Sequence, residues 1–188
     1  QSDKNFAYRY GVEGYDEYNR TNEVYLTGLN DRNYFDLRFQ KFNVQEQDPR
    51  RDRKQPWVLP TLDYSYTPNT PIAGGELNID VNLRSIYRYD LDAPGFPSGP
   101  ARAVRGIHGS STRLTAEAEW KRSFITQGGV VLTPILHARA DTFNVSYRGD
   151  SIAAINSYNL YGSNNSYPLW QTDLRSSSFN VMPTAGLE

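Results

Sequence analysis

One stretch constrains the fold more than any other, residues 74–90, GGELNIDVNLRSIYRYD. From Leu77 onward its odd positions are mostly apolar or aromatic, and its even positions are polar or charged except Ile86. A period of two over such a length predicts a β-strand with one apolar and one polar face. Ordinary strands peak at about 5–6 residues, whereas a strand that crosses a membrane needs roughly 9–11. The pattern therefore favours a membrane-crossing strand.

Similar alternation along the chain predicts about seven strands, with residues 5–12 as a further candidate. A change of phase within residues 33–44 and another within residues 132–147 each predict a β-bulge. Val58, Pro60 and Leu62 are expected on one face, with Pro60 at a strand end or a bulge. The predicted connections alternate in length along the chain. Short turns fall at residues 30–32, 68–75 and 126–129, and long polar loops at residues 44–56, 91–111 and 148–177.

This alternation of connections predicts the fold class. Outer-membrane barrels have short periplasmic turns and longer extracellular loops, whereas a soluble sandwich is expected to have no such rule. We therefore predict an all-β, antiparallel, up-and-down transmembrane β-barrel segment. Residues 1–188 are expected to form part of one barrel domain, an incomplete slice of a larger barrel, because neither end carries a barrel-closing pattern.

Composition is compatible with such a barrel and excludes several other classes. The net charge of −1 gives no field that would recruit nucleic acid. Mean hydropathy is −0.68, but averaged hydropathy does not detect a lipid face that alternates with a polar one. The 14 tyrosines, 8 phenylalanines and 3 tryptophans fit interfacial aromatic girdles. There is no cysteine, and residue 1 is Gln with no leader pattern behind it, so we expect the chain to be an excerpt.

Four segments together resemble the barrel of the LptD family, in the form found in α-proteobacteria. They are LTGLNDRNYFDLRFQKF, LPTLDYSYTPNTPIAGGELNIDVNLRSIYR, GIHGSSTRLTAEAEWKR and the terminal VMPTAGLE. The resemblance covers roughly residues 21–188, excluding the loops at 91–106 and 149–177. It implies a middle portion of the C-terminal barrel of an outer-membrane protein that inserts lipopolysaccharide into the outer leaflet.

The resemblance also implies partners and a location. We expect lipopolysaccharide, a lipoprotein plug of the LptE type, periplasmic bridge proteins and outer-membrane lipid as partners, in the outer membrane of a Gram-negative bacterium. The family's lateral gate and its disulfide cysteines lie outside this stretch, so the family supplies no functional residue here. The resemblance implies a translocon, not an enzyme, and we expect no cofactor.

The residues by themselves offer little for catalysis. His108 and His137 lack ligand spacing to each other, so ordinary polar roles are favoured over a metal site. Glu117 and Glu119 could imitate a paired-carboxylate site, but Arg113 and Lys121 share their face, so mutual charge compensation is the simpler interpretation.

Two groups of residues are the candidates for function. The first is predicted to face a wet lumen, and the second, in a loop, to contact lipopolysaccharide phosphates, although a solvated charge run is the simpler interpretation. The alternatives are a porin or a TonB-dependent receptor, or a soluble carbohydrate-binding β-sandwich. The lumen candidates are Asn78, Asp80, Asn82, Arg84, Arg113, Glu117 and Glu119, and the phosphate candidates are Arg50, Arg51, Arg53 and Lys54.

Overall fold

The computed structural model describes residue 10 and residues 19–44, 49–159 and 172–187. Within these residues seven long strands form one antiparallel sheet, and two short strands form a separate ribbon. The candidate strand at residues 5–12 lies outside the described residues apart from Tyr10. The elements in chain order are β1 (Asn19–Asn30), β2 (Asn33–Val44), α1 (Pro49–Arg53), β3 (Trp57–Tyr66), β4 (Glu76–Arg88), β5 (Gly109–Lys121), β6 (Phe124–Ile125), β7 (Val131–Leu132), β8 (Pro134–Tyr147), α2 (Gly149–Asn159) and β9 (Leu174–Leu187).

The order of strands in the sheet follows the order along the chain, β1-β2-β3-β4-β5-β8-β9. Connections 31–32, 67–75 and 122–133 meet at one end of the sheet, which we call the turn end. The ends at which β2 leads to β3, β4 to β5, and β8 to β9 lie at the opposite end of the sheet, which we call the loop end. The predicted up-and-down order and the alternation of connections are confirmed. Within the described residues β1 and β9 each pair with one neighbour, so the sheet is open.

The two faces of the sheet have different chemistry, as the alternation in β4 predicts. Leu77, Val81 and Leu83 lie opposite Trp120, Ala116 and Leu114 of β5, and this side is called the apolar face. The even-numbered residues of β4 lie on the other side with Thr115, Glu117 and their neighbours, and this side is called the polar face. Because the β4–β5 ladder runs without interruption from Glu76 to Arg88, the two faces stay separate along the whole strand.

A bulge in β3 accounts for the only register shifts in the described part of the large sheet. Residues 59 and 60 stand opposite the single residue Phe39 of β2 on one side and opposite the single residue Ser85 of β4 on the other. Pro60 is therefore at a bulge, as predicted. The extra residue reverses the phase, so Val58 lies on the polar face opposite Ile86, and its predicted placement beside Leu62 was wrong.

The two phase changes in β2 and β8 are not bulges. The β1–β2 and β5–β8 ladders are continuous, so both predicted bulges were wrong. The apolar residues that follow each change stay on the polar face, close to the loop end. They are Phe42 and Val44 in β2 and Phe143, Val145 and Tyr147 in β8. Together with Val58 and Ile86 they form an apolar band across the polar face.

Ordered chain covers this end of the sheet, where the sequence predicts only polar loops. Helix α1 packs against β2, and its Asp52 accepts a hydrogen bond from the Val44 N–H at 2.8 Å. Helix α2 lies in the third long loop and packs on the second, because Ala154 shares a small core with Ala93 and Ala101. The band of apolar residues thus coincides with the end at which the loops fold back.

At the turn end, the predicted turn at residues 126–129 is confirmed. The Gly129 N–H donates to the Thr126 carbonyl at 2.9 Å, and Gly129 has a φ of 79°, which glycine adopts without strain. The strands around this turn are broken, because β5 ends at Lys121 and β8 begins at Pro134. Strands β6 and β7 form the ribbon between them.

Candidate functional site

The polar face brings together all seven residues predicted to face the lumen. Asn78 lies opposite Glu119, Asp80 opposite Glu117 and Arg84 opposite Arg113. Asn82 lies opposite Thr115 in the same ladder. Side chains directly opposite on one face of an antiparallel pair are close enough to interact. One surface spanning β4 and β5 is therefore the candidate site.

The next strand supplies the centre of a charge network that the sequence did not reveal. The Asp141 carboxylate of β8 accepts hydrogen bonds from the Arg139 guanidinium at 2.7 Å, the Thr115 hydroxyl at 2.6 Å and the Arg113 guanidinium at 3.2 Å. Asp141 lies at the position in β8 where the sequence predicts a bulge. Because a bulge reverses the phase, the sequence alone did not assign Asp141 to either face of the sheet. Knowledge of the β5–β8 register, which pairs Thr115 with Asp141, would have placed Asp141 on the polar face.

Glu117 and Glu119 do not act as a carboxylate pair. Glu117 forms an ion pair with Arg139 at 2.8 Å and lies 3.7 Å from the His137 imidazole. The predicted compensation by Arg113 and Lys121 was wrong in its partners, because Arg139 of β8 pairs with Glu117 and Arg113 pairs with Asp141 instead. Within the described residues no group of three or more His, Asp or Glu side chains could hold a metal ion.

A second polar cluster lies on the same face, between β1 and β2. The Asp36 side chain is only 7% exposed and accepts hydrogen bonds from the Tyr34 hydroxyl at 3.0 Å and the Arg38 guanidinium at 2.8 Å. Arg38 also donates to Glu23 of β1 at 3.0 Å. The polar face thus stabilises its buried carboxylate internally, as buried charges require.

The phosphate candidates lie in the first long loop, close to the start of the second. Arg53 forms an ion pair with Asp90 at 2.9 Å, and Lys54 forms one with Asp92 at 3.3 Å. Arg51 is exposed, and the Arg50 side chain lies outside the described part of the chain. Two of the four cations therefore join neighbouring loops.

His108 has a structural role at the start of α2. Its imidazole Nδ1 lies 3.0 Å from the Asp150 carboxylate, and its backbone N–H donates to the Ser151 hydroxyl at 2.8 Å. Asp173 lies next to the start of the same helix. Its carboxylate accepts a hydrogen bond from the Gly149 N–H at 2.9 Å and forms an ion pair with Arg148 at 2.9 Å. The Gly149 N–H and the Arg148 guanidinium hold the pKa of Asp173 below its usual range.

The family model LptD, described as LPS transport system D, matches residues 1–188. The chain belongs to the LptD family. LptD proteins are the outer-membrane component of lipopolysaccharide transport in Gram-negative bacteria, so the predicted fold class, function and location are confirmed. No curated protein and no solved structure matches the chain significantly.

Proteins of the LptD family bind lipopolysaccharide and work within the Lpt transport system. The open seven-stranded sheet is that of an LptD barrel segment, and nothing in it favours the porin, receptor or carbohydrate-binding alternative. No helix among the described residues combines the length and apolar character needed to cross a membrane.

Proposed function

We propose that this chain is a middle slice of an LptD barrel wall, of the α-proteobacterial type, whose polar face lines the lumen. The observation that carries this proposal is the separation of faces along β4 and β5. A lumen wall needs polar side chains on one face and lipid-compatible side chains on the other. In the part of the chain that the structure describes both edges of the sheet are open, which suits a wall that continues on either side.

The height of the apolar face supports a membrane-spanning wall. From Leu77 to Tyr87, β4 extends about 33 Å at roughly 3.3 Å per residue. A tilt of about 35–45° reduces this length to roughly 25 Å, which is the height of the apolar band in outer-membrane barrels. Aromatic side chains mark the two limits of this band.

Aromatic rings lie at both ends of the apolar face. At the loop end the Tyr89 ring lies 4.7 Å from Tyr87 and 6.0 Å from Trp57, between ring centroids, and Lys41 lies 4.5 Å over the Trp57 ring. At the turn end the Trp120 indole N–H donates to the Ile72 carbonyl at 2.8 Å. Such girdles anchor barrels at both interfaces. Because periplasmic turns are short and extracellular loops are long, we assign the turn end to the periplasm and the loop end to the cell surface.

In this arrangement Asn78, Asp80, Asn82, Arg84, Arg113, Glu117 and Glu119 face the lumen, where an LptE-type lipoprotein plug and the passing glycolipid would meet them. Periplasmic bridge proteins would deliver the glycolipid from the turn end. A hydrated lining of both charge signs suits sugar and phosphate, because it offers hydrogen-bond donors and acceptors throughout the passage.

The loop cations Arg50, Arg51, Arg53 and Lys54 remain candidates for contact with lipopolysaccharide phosphates at the surface. The Arg53 side chain is 65% exposed and that of Lys54 38% exposed, so their ion pairs are worth little. A phosphate oxygen can replace Asp90 or Asp92 at small cost, because Arg and Lys both bind phosphate well.

Cysteine labelling of the whole protein in outer membranes tests the lumen assignment. Asn82→Cys should react with a water-soluble maleimide, whereas its neighbour Val81→Cys should react with a lipid-soluble reagent. Equal labelling of the two positions by the water-soluble reagent, or the reverse preference, would contradict the assignment. Assembly of each variant is checked by its heat-modifiable migration on gels.

A further inference from the structure

Arg84 and Arg113 are the most unusual pair on the polar face. They lie directly opposite each other in the β4–β5 ladder, and like charges in such positions are destabilising. Arg113 is 58% exposed and donates to Asp141 at 3.2 Å. Arg84 is exposed, and its guanidinium makes no hydrogen bond or ion pair with any residue that the structure describes.

Asp141 compensates part of the charge of this pair, but the residues next to the pair in the two flanking ladders do not. On the far side of Arg84 stands Thr61 of β3, and on the far side of Arg113 stands Phe143 of β8, both uncharged. Asp80, the acidic residue nearest to Arg84 along β4, accepts a hydrogen bond from Asn78 at 2.6 Å instead. Two guanidinium groups therefore share a surface on which Asp141 is the only carboxylate bonded to either within the described residues.

A cavity of about 440 Å³ opens next to the pair, towards the loop end. Ile86 and Ser111, each two residues from one of the arginines, line its floor, and Arg88 and Arg105 also line it. Its apolar wall includes Ile107 and Tyr147. Residues two apart on a strand are separated by about 7 Å, which is within reach of an arginine side chain. The cavity is thus lined by two cations and an apolar wall, and Arg84 and Arg113 each stand two residues from its lining.

We propose that Arg84 and Arg113 bind a phosphate group of the transported lipopolysaccharide, with the adjoining part of that molecule in the Ile86–Tyr147 cavity. Each guanidinium offers a planar set of donors that matches phosphate oxygens, and the anion relieves the repulsion between the two cations. The guanidinium N–H groups of Arg84, which bond to no described residue, make the first contact with the phosphate. This proposal rests on the proposed lumenal position of the polar face.

The test uses the whole protein in cells, with a photocrosslinking amino acid in place of Thr61. Crosslinking to lipopolysaccharide is compared for the parent protein, Arg84→Gln, Arg113→Gln and the double variant. Lys121→Gln is the matched control, because Lys121 lies on the same face of β5 but at the turn end. We expect crosslinking to fall about tenfold when either arginine is replaced and to remain unchanged in the control.

Further arms of the experiment separate the possible outcomes. Charge-preserving Arg84→Lys should retain part of the signal, and this variant replaces Arg84→Gln if the latter fails to assemble. Lipopolysaccharide with its phosphates removed should crosslink as weakly to the parent protein as intact lipopolysaccharide does to the double variant. Unchanged crosslinking in the double variant, or crosslinking to phospholipid instead, would overturn the phosphate site. Absence of any lipopolysaccharide crosslink at Thr61 in the parent protein would overturn the lumenal position itself.

Discussion

Thr115 and Asp141 are joined across the β5–β8 ladder by a hydrogen bond of 2.6 Å from the threonine hydroxyl to the carboxylate. The same carboxylate accepts from Arg113 and Arg139, so one acidic residue organises two strands of the polar face. A hydrogen-bond network in which every polar group has a partner contributes more stability than the sum of its separate bonds.

Asp141→Asn should therefore destabilise the barrel. The amide keeps the size of the side chain but loses the charge that Arg113 and Arg139 share, and we expect a small loss of stability because the site is partly exposed. The denaturant midpoint of the folded barrel, followed on gels, measures this loss. Asp80→Asn is the control, since Asp80 has a single side-chain partner, Asn78, among the described residues. Equal midpoints for the two variants would argue against the network.

Val81→Arg should impair assembly. Val81 is at the middle of the apolar face, and a cation near the bilayer midplane costs about 2–4 kcal/mol. The amount of heat-modifiable barrel in purified outer membranes is the measurement. Asn82→Arg, one residue away on the polar face, should assemble normally. If the two variants assemble equally well, the apolar face does not contact lipid.

Ser157→Ala should loosen the covering of the loop end. The Ser157 hydroxyl accepts from the Ala101 N–H at 3.1 Å, and both residues are fully buried. An unsatisfied buried N–H costs about 1–3 kcal/mol, so hydrogen exchange at Ala101 should accelerate roughly 5- to 150-fold. Ser123→Ala, an exposed serine at the turn end, serves as control. Unaltered exchange at Ala101 would show that α2 does not hold the second loop.

Asp173 predicts a pH dependence in the third loop. Its pKa in the folded state is lowered, chiefly by the hydrogen bond from Gly149, so its stabilising contribution is complete above the unfolded pKa of about 3.9. That contribution is lost as the pH falls through the lower folded value. Hydrogen exchange at Gly149, divided by its rate in Asp173→Asn, should therefore rise as the pH drops below about 4. A ratio that does not change with pH would refute this role.

Much of the fold could be predicted because alternation is a local signal. In β4 the lipid-compatible and polar positions follow from residue parity alone, and all seven lumen candidates share one face. The failures occur near the loop end. Phe42 and Val145 are apolar on the polar face, close to where α1, α2 and their loops cover the sheet. An apolar residue on the polar face looks like a phase change when only odd and even positions are compared. The folded loops show that such residues are covered at this end of the sheet.

The sequence predicted which candidate residues share a face, but not which side chains pair with each other. Sequence parity places Arg84 and Glu117 on one face, yet it does not give the register between strands. Register decides that Glu117 meets Arg139 while Arg84 meets Arg113. The helical part of the third loop was missed for a related reason, because α2 packs on residues of the second loop far away in the chain.

The sequential strand order has a consequence for the speed of assembly. Every ladder of the large sheet joins strands that follow one another along the chain, so each new ladder closes only the connection between them. The entropy of closing a loop grows slowly, and extending the connection from that of residues 67–75 to that of 148–173 adds only about 1 kcal/mol. The wall can therefore grow by one hairpin at a time, and no step has to wait for distant segments to meet.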